Sequence, residues 1–181
     1  MKNLKSEKQE TVSNTAFKEW AVICRALTTG RQDVILRKGG IVEPGGSFQF
    51  LADDFYLFPT FVHQSKDHLI PSAQDLLITI DEERPPKGTV EFRHRIHVTE
   101  SFTISQPDEL TALRPRHVWS DNIVNERFNR WQKNLHVLVV TVSPVTPVIQ
   151  IPWDDSYGGC KSWITFDSKK QPEELPTTRA S

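Results

Sequence analysis

Two basic residues followed by two glycines, Arg37, Lys38, Gly39 and Gly40, form the segment of the sequence best suited to binding chemistry. Glycines let backbone N–H groups turn toward one anion, and the two side chains add positive charge. The segment therefore predicts a site for a phosphate group at the end of a strand. The sequence contains neither GxxxxGKS nor GxGxxG, which excludes a P-loop or dinucleotide-binding site. The alternative is a tight turn in which Arg37 pairs with an internal carboxylate.

A second group of hydrogen-bonding residues consists of Thr60, His63 and Gln64. Histidine titrates near neutral pH, and threonine and glutamine both donate and accept hydrogen bonds. Ligand binding, whether catalytic or not, requires Arg37, Lys38 and His63 to face one cleft, and both hypotheses fail if the structure scatters these residues. The alternative is that His63 closes a loop through a hydrogen bond to the backbone.

Catalysis is a further possibility, with His63 as general base and Glu19 or Glu43 as the carboxylate. The substrate would then be a nucleotide or a phosphodiester. The histidines never occur as HExxH or HxH, and the cysteines do not form CxxC, so we expect no metal site and no cofactor. Cys160 follows a glycine turn, and we expect it to be a small buried residue rather than a nucleophile.

A basic strand face is predicted at Arg93, Arg95 and His97, which alternate with apolar residues. Exposed cations near aromatic residues are typical of surfaces that follow a nucleic-acid strand. Arg93 and Arg95 are therefore further candidate ligand-binding residues. The alternative is an ordinary solvated face balanced by Glu91 and Glu100.

The composition limits the class of protein. The chain has 181 residues, of which 37% are hydrophobic and 25% charged, a composition typical of globular proteins. Its net charge is −1, so no overall positive charge marks it as a nucleic-acid binder. The polar first residues do not resemble a signal peptide, and no apolar run is long enough to span a membrane. We therefore expect a soluble cytoplasmic protein with one domain at residues 15–167 and flexible tails at 1–14 and 168–181.

Apolar periodicity predicts the elements that must position these residues. Helices are expected over Ala16–Leu27, with its apolar stripe at Phe17, Trp20, Cys24 and Leu27, and over Trp119–Asn134, with its stripe at Val124, Phe128 and Trp131. Strands are expected at Asp33–Arg37, Ser47–Leu51, Phe55–Phe61, Thr89–Val98, Leu135–Val142 and Ser162–Phe166.

Prolines punctuate this pattern. We expect Pro59 to place its strand at a sheet edge or to end it, and Pro144 and Pro147 to stop the central strand that precedes them. Helices and strands mix without regular βαβ alternation. The pattern predicts a single α+β domain with a mostly antiparallel or barrel-like sheet and two main helices.

Four segments together resemble a bacterial family known as domain of unknown function 1802. They are FKEWAVICRAL (17–27), ILRKGGI (35–41), FYLFPTFVHQ (55–64) and GGCKSWITF (158–166), which extend over essentially the whole predicted domain. A remoter likeness is to ASCH and other PUA-like domains, small β-barrels that bind RNA or modified bases. Gly30 and Arg37 match their GxKxxExR pattern, whereas Gln32 and Ile35 depart from it. The likeness implies a PUA-like topology.

The function favoured by these observations is non-catalytic binding of an anionic ligand, with RNA, DNA or a nucleotide preferred, near Arg37, Lys38, the glycine pair and His63. The first alternative is the enzyme described above. The second is a protein-binding accessory module. The sequence leaves the ligand and the oligomeric state open.

Overall fold

In the computed structural model, residues 14–38 and 51–168 are described. They form one six-stranded sheet in the order β2-β5-β4-β3-β1-β6. The strands are β1 (Thr15–Trp20), β2 (Val34–Arg37), β3 (Asp54–Thr60), β4 (Thr89–Ile104), β5 (Leu135–Pro152) and β6 (Trp163–Thr165). The helices are α1 (Ala21–Thr28), α2 (Pro107–Leu113) and α3 (Asp121–Asn129), with short 3₁₀ turns between the elements. No helix within the described ranges is both long and apolar enough to cross a membrane.

The predicted α+β class is confirmed. The sheet is mixed but mostly antiparallel, because β1 and β3 form its single parallel pair among the described residues. Its hydrogen-bonded order does not close into a ring over the described residues. The predicted strand at Ser47–Leu51 and both predicted tails lie almost wholly outside the described residues.

The long β4–β5 ladder is the most extensive strand pairing among the described residues. The alternation predicted at Thr89–Val98 is present, since Val90, Phe92, Ile96 and Val98 are buried. Register shifts interrupt the ladder between Phe92 and His94 and between Val98 and Glu100. Such bulges bend and twist a strand, so this pair can curve around the core.

The prediction that Pro144 and Pro147 end β5 is wrong, because the strand continues to Pro152. β2 pairs with β5 only between His136 and Val139, so beyond that point β5 is hydrogen-bonded to β4 alone. Proline lacks an N–H donor and is tolerated on such a free edge. Likewise, β3 lies inside the sheet, but its pairing with β4 ends at Tyr56, before Pro59.

The helix predicted over Ala16–Leu27 is wrong in its first part, where the chain forms β1 and turns into α1 at Ala21. The spacing of its apolar residues fits a helix, but pairing with β3 and β6 decides the conformation. As a strand, the segment buries Ala16 on one face of the sheet and Phe17 on the other. Both faces are therefore covered by packed side chains.

Two apolar clusters result from this arrangement. The larger one joins α1 and α3 to one face of the sheet through residues such as Ile23, Phe55 and Phe128. The smaller one lies on the other face and includes Phe58, Phe92, Tyr157 and Phe166. Trp131 was predicted in the stripe of α3, but it follows the end of the helix and is 57% exposed. Its positive φ of 59° shows that the chain has already left the helical conformation there.

Candidate functional site

Arg37 connects two strands that are far apart in the sheet order. β2 is the first strand and β1 the fifth, yet Arg37 Nη2 donates to the carbonyl of Lys18 and lies 3.2 Å from Glu19 Oε2. The guanidinium also lies 4.4 Å from the centre of the Phe17 ring. The sheet is thus curled enough to bring its β2 end toward β1, and the Arg37 side chain spans the gap.

Glu19, the acceptor of that ion pair, is buried, with 2% of its side chain exposed. Its Oε1 accepts a 2.8 Å hydrogen bond from the Trp20 N–H. Its Oε2 and the Nε of Arg37 are both inaccessible to solvent and have no hydrogen-bond partner among the described residues. Buried polar atoms usually have a partner, whether protein, water or ligand. The pair therefore retains unused hydrogen-bonding capacity.

A second arginine, Arg127 of α3, adds a charge to this region. Burial lowers the pKa of Arg127 to about 10, with Glu19 acting to raise it and Arg37 to lower it. Its guanidinium lies 4.0 Å from the centre of the Trp119 ring. Nη1 is buried without a hydrogen-bond partner among the described residues. Arg127 thus adds a buried positive charge, and its pKa responds to both members of the Glu19–Arg37 pair.

A cavity of about 300 Å³ opens at the ends of β1, β2 and β3. It is lined by Lys18, Glu19, Trp20, Arg37, Thr60, Val62, Gly159, Cys160, Lys161 and Ser162. Three of these residues are cations and only one, Glu19, carries a carboxylate. We call this space the cationic cavity. Its residue types suit an anion, and the hydroxyl groups of Thr60 and Ser162 add hydrogen-bonding capacity.

Lys18 holds the loop that closes the cationic cavity. Its Nζ donates to the carbonyls of Tyr157 at 2.8 Å and Gly159 at 2.7 Å. Burial lowers the pKa of Lys18, while Cys160 raises it and Lys161 lowers it. Because an ammonium group has three donors, one N–H remains for a ligand. Cys160, predicted to be buried, is instead an exposed free thiol, because this loop lies on the surface.

The structure brings only some of the predicted site residues together. Arg37, Thr60 and Glu19 line the cationic cavity, and Thr60 Oγ1 donates to the Glu19 carbonyl at 3.1 Å. The pairing of Arg37 with an internal carboxylate, left open from the sequence, is present. Gly39, Gly40 and Glu43 lie outside the described residues.

Lys38 does not face the cavity. Its Nζ donates to the Asn134 carbonyl at 2.8 Å and side-chain Oδ1 at 2.7 Å, and also to the Gln132 carbonyl. Neighbouring residues in an extended chain point to opposite sides, and here the Arg37 side chain reaches β1 whereas the Lys38 side chain reaches Asn134. Lys38 instead fixes the chain that follows α3.

His63 and Gln64 also lie outside the lining of the cationic cavity. His63 is exposed, has a positive φ of 62° and does not line the cavity. Gln64 Oε1 accepts a 2.7 Å hydrogen bond from the Val22 N–H in the first turn of α1. The prediction that Arg37, Lys38 and His63 face one cleft is therefore wrong, since Lys38 is held by the chain after α3 and the chain turns away after Thr60. By the condition set from the sequence, both ligand hypotheses fail at the site predicted there.

The basic strand face of β4 is largely neutralised. Arg93 Nε donates to Glu91 at 2.8 Å, and Arg95 Nε lies 3.6 Å from the Asp54 carboxylate. Arg93 lines a different cavity of about 160 Å³, beside α1 and His94. Burial lowers the pKa of His94, with Arg93 acting in the same direction. Neither Arg93 nor Arg95 joins the cationic cavity, and the alternative of a balanced face fits this placement.

A larger groove, of about 610 Å³, continues from the cationic cavity. The two share Lys18, Thr60, Val62 and Gly159. The groove adds aromatic side chains, prolines and two further cations, namely Phe58, Phe61, Trp153, Pro59, Pro85, Pro86, Arg84 and Lys87. We call it the aromatic groove. Sequence reasoning missed it because its walls come from distant segments that are joined only by folding.

Lys18, Lys161 and Ser162 are site residues that sequence reasoning did not propose. Lys161 lies within the segment GGCKSWITF, where only Cys160 was considered as a reactive residue. A lysine two residues after a glycine pair was the available signal. The helix predicted over Ala16–Leu27 leaves Lys18 outside its apolar stripe, so nothing in the sequence indicates that Lys18 approaches the 158–162 loop.

Comparisons with known proteins give a family and a distant similarity of fold. The family model described as domain of unknown function (DUF1802) matches residues 16–180. The chain is similar to the crystal structure of ASCH from Zymomonas mobilis, with 9% identity, a TM-score of 0.49 and coverage of 84% of this chain and 87% of that chain. A serine-to-alanine mutant of the same Zymomonas mobilis protein gives 7% identity, a TM-score of 0.49 and coverage of 86% and 92%. No curated protein matches. These similarities concern the fold and identify no site residue.

Proposed function

The chain belongs to the DUF1802 family, and on the geometry of its cationic cavity we propose that it binds an anionic ligand carrying phosphate, either a nucleotide or a nucleic acid. One observation carries the proposal: Lys18, Arg37 and Lys161 converge on one cavity with the hydroxyl groups of Thr60 and Ser162. Cations and hydroxyl groups are the usual ligands of phosphate oxygens in proteins. A cavity of about 300 Å³ reaches the lower end of the range for small-molecule sites.

Charge balance supports an anion over a neutral ligand. The carboxylate of Glu19 is already paired with Arg37. Lys18 and Lys161 are thus not neutralised by a carboxylate that lines the cavity. Lys161 is exposed, and its Nζ donates to the Ser156 carbonyl only at 3.3 Å. An incoming phosphate would find these ammonium groups with unused donors.

The catalytic alternative receives no geometric support. It pairs His63 with Glu19 or Glu43, of which Glu43 lies outside the described residues, and His63 does not line the cavity that Glu19 lines. Glu19 is itself occupied by an arginine and a backbone N–H. A general base must lie within hydrogen-bond reach of the proton that it removes. We therefore propose binding as the function, at a site composed differently from the one predicted from the sequence.

The test uses Lys161→Gln, because Lys161 is exposed and its loss removes one ligand charge with little effect on the core. Lys133→Gln is the matched control, since Lys133 is exposed and lines neither the cavity nor the groove. Affinity is measured by fluorescence anisotropy with a labelled single-stranded RNA hexamer, the corresponding DNA and labelled adenosine monophosphate, over a range of salt concentrations.

We expect Lys161→Gln to weaken binding about tenfold or more, because one charge-assisted hydrogen bond is lost. For the nucleic acids, log affinity should depend less steeply on log salt concentration, by the amount expected when roughly one phosphate contact is lost. Lys133→Gln should behave as the wild type. An unchanged affinity in folded Lys161→Gln refutes the site. If no phosphate-bearing probe binds at low salt, the proposal fails and the protein-binding module becomes the better description.

A further inference from the structure

The aromatic groove offers an exposed ring that its neighbours hold in place. Trp153 is 46% exposed. Its ring makes edge-to-face contacts with Tyr157 at 6.1 Å and Phe58 at 6.3 Å between centroids. Its backbone N–H donates to the Gly88 carbonyl at 2.8 Å. Because the ring is already positioned, a planar group can stack on it without a large loss of side-chain entropy.

The lining of the groove also contains the basic residues Arg84 and Lys87. Arg84 lies 4.8 Å from the centre of the Phe61 ring and pairs with Asp81 at 2.7 Å. Lys87 is exposed and forms no ion pair within the described part of the chain. No carboxylate from the described residues lines the groove. The groove therefore combines aromatic surface with cations, the pairing that binds the bases and the phosphates of a single strand.

The groove and the cationic cavity are continuous, since Lys18, Thr60, Val62 and Gly159 line both. A phosphate held in the cavity would place the adjoining nucleoside in the groove. Bases in a duplex are stacked on each other and paired, so only unpaired bases can reach Trp153 or Phe61. A single nucleotide would place its phosphate in the cavity and its one base in the groove, but the groove of about 610 Å³ is lined by two separate rings, Phe61 and Trp153, and has room for a second nucleoside.

From this continuity we infer that the site takes an unpaired nucleic-acid strand of at least two nucleotides, with a phosphate in the cationic cavity and a base stacked on Trp153 in the aromatic groove. This inference rests on the proposed function, because it assumes that the cavity binds phosphate. It adds a ligand class and a residue that selects single strands over duplexes and over anions without bases.

The test compares Trp153→Ala with Trp131→Ala as the matched control. Trp131 is also exposed, at 57%, but lines neither space. The probes are adenosine monophosphate, single-stranded RNA and DNA of two, four and six nucleotides, a hairpin duplex and inorganic polyphosphate of matched charge. Affinity is followed by competition against a labelled hexamer, and quenching of tryptophan fluorescence reports stacking.

We expect affinity to rise clearly from one nucleotide to two, and Trp153→Ala to weaken hexamer binding about fivefold or more while leaving polyphosphate binding unchanged. The RNA and DNA arms show whether the sugar matters. Equal hexamer affinity in wild type and Trp153→Ala, or hairpin or polyphosphate binding as tight as that of the hexamer, overturns the inference. In those cases, weaker hexamer binding by Lys161→Gln than by the wild type would still support the proposed function. If Lys161→Gln binds the hexamer as tightly as the wild type, both the proposed function and this inference are refuted.

Discussion

The Glu19–Arg37 ion pair allows structure and ligand binding to be separated by two substitutions. In Arg37→Gln, the Glu19 carboxylate stays buried, with 2% of its side chain exposed, and loses its nearest cation. Breaking a buried pair from one side costs about 3–5 kcal/mol in the free energy of unfolding. For a domain of this size, that corresponds to a fall in Tm of about 6–20 °C.

Glu19→Gln is expected to cost less, about 1–3 kcal/mol. The reason is that 19% of the Arg37 side chain is exposed and its Nη2 keeps the Lys18 carbonyl as acceptor. Oε1 of the glutamine can also still accept from the Trp20 N–H. Both variants therefore destabilise the fold, and the arginine variant does so more strongly.

The two substitutions should have opposite effects on binding. Arg37→Gln removes a cation from the cavity and weakens affinity for the RNA hexamer. Glu19→Gln removes the carboxylate that lines the cavity and therefore strengthens affinity for the RNA hexamer. Urea unfolding gives the stability of each variant, and anisotropy at a temperature where all are folded gives the affinity. A cost below about 1 kcal/mol for Arg37→Gln, or weaker binding by Glu19→Gln, would refute this reasoning.

Two further predictions concern residues outside the cavity. Lys38→Met should lower stability by about 1.5–3 kcal/mol, because the carbonyl of Asn134 loses a charged donor, while RNA affinity stays as in the wild type. Weakened binding at unchanged stability would contradict that role. Burial lowers the pKa of His117 to about 4 from 6.5, so the unfolded state takes up this proton first as the pH falls. Stability should thus decrease by up to about 3 kcal/mol as the pH falls from 6.5 to about 4. In urea unfolding, His117→Gln should lose less stability than the wild type over that pH range. An equal loss of stability in both proteins would contradict the assignment to His117.

Two strands were predictable from the sequence, by different patterns. Thr89–Val98 buries every second residue except at its bulge, which is typical of a half-buried strand. Val34–Arg37 is a short apolar run with β-branched residues, which is typical of a fully buried strand. The capping of α2 was also readable, although the helix was not predicted. Pro107 opens that helix, and Glu109 accepts a hydrogen bond from the Gln106 N–H at 2.9 Å.

The cavity was not predictable because the segment that builds it fits two conformations. Phe17 and Trp20 have helical spacing, and a helix would leave Lys18 and Glu19 together on its outer surface. In β1 the two side chains alternate, so that Glu19 is buried beside Arg37 while Lys18 reaches the 158–162 loop. This choice depends on pairing with β3 and β6, which lie far away in the sequence.

The most direct test of the central claim is a map of ligand contacts on the protein in solution. Backbone ¹H–¹⁵N spectra of the labelled protein are recorded while a single-stranded RNA hexamer is added to saturation. The largest shifts are expected at Lys18, Thr60 and the 159–162 loop, with further shifts near Trp153. Shifts confined to the cavity of Arg93 and His94, or no shifts at saturating RNA, would contradict the assignment of the cationic cavity as a phosphate site.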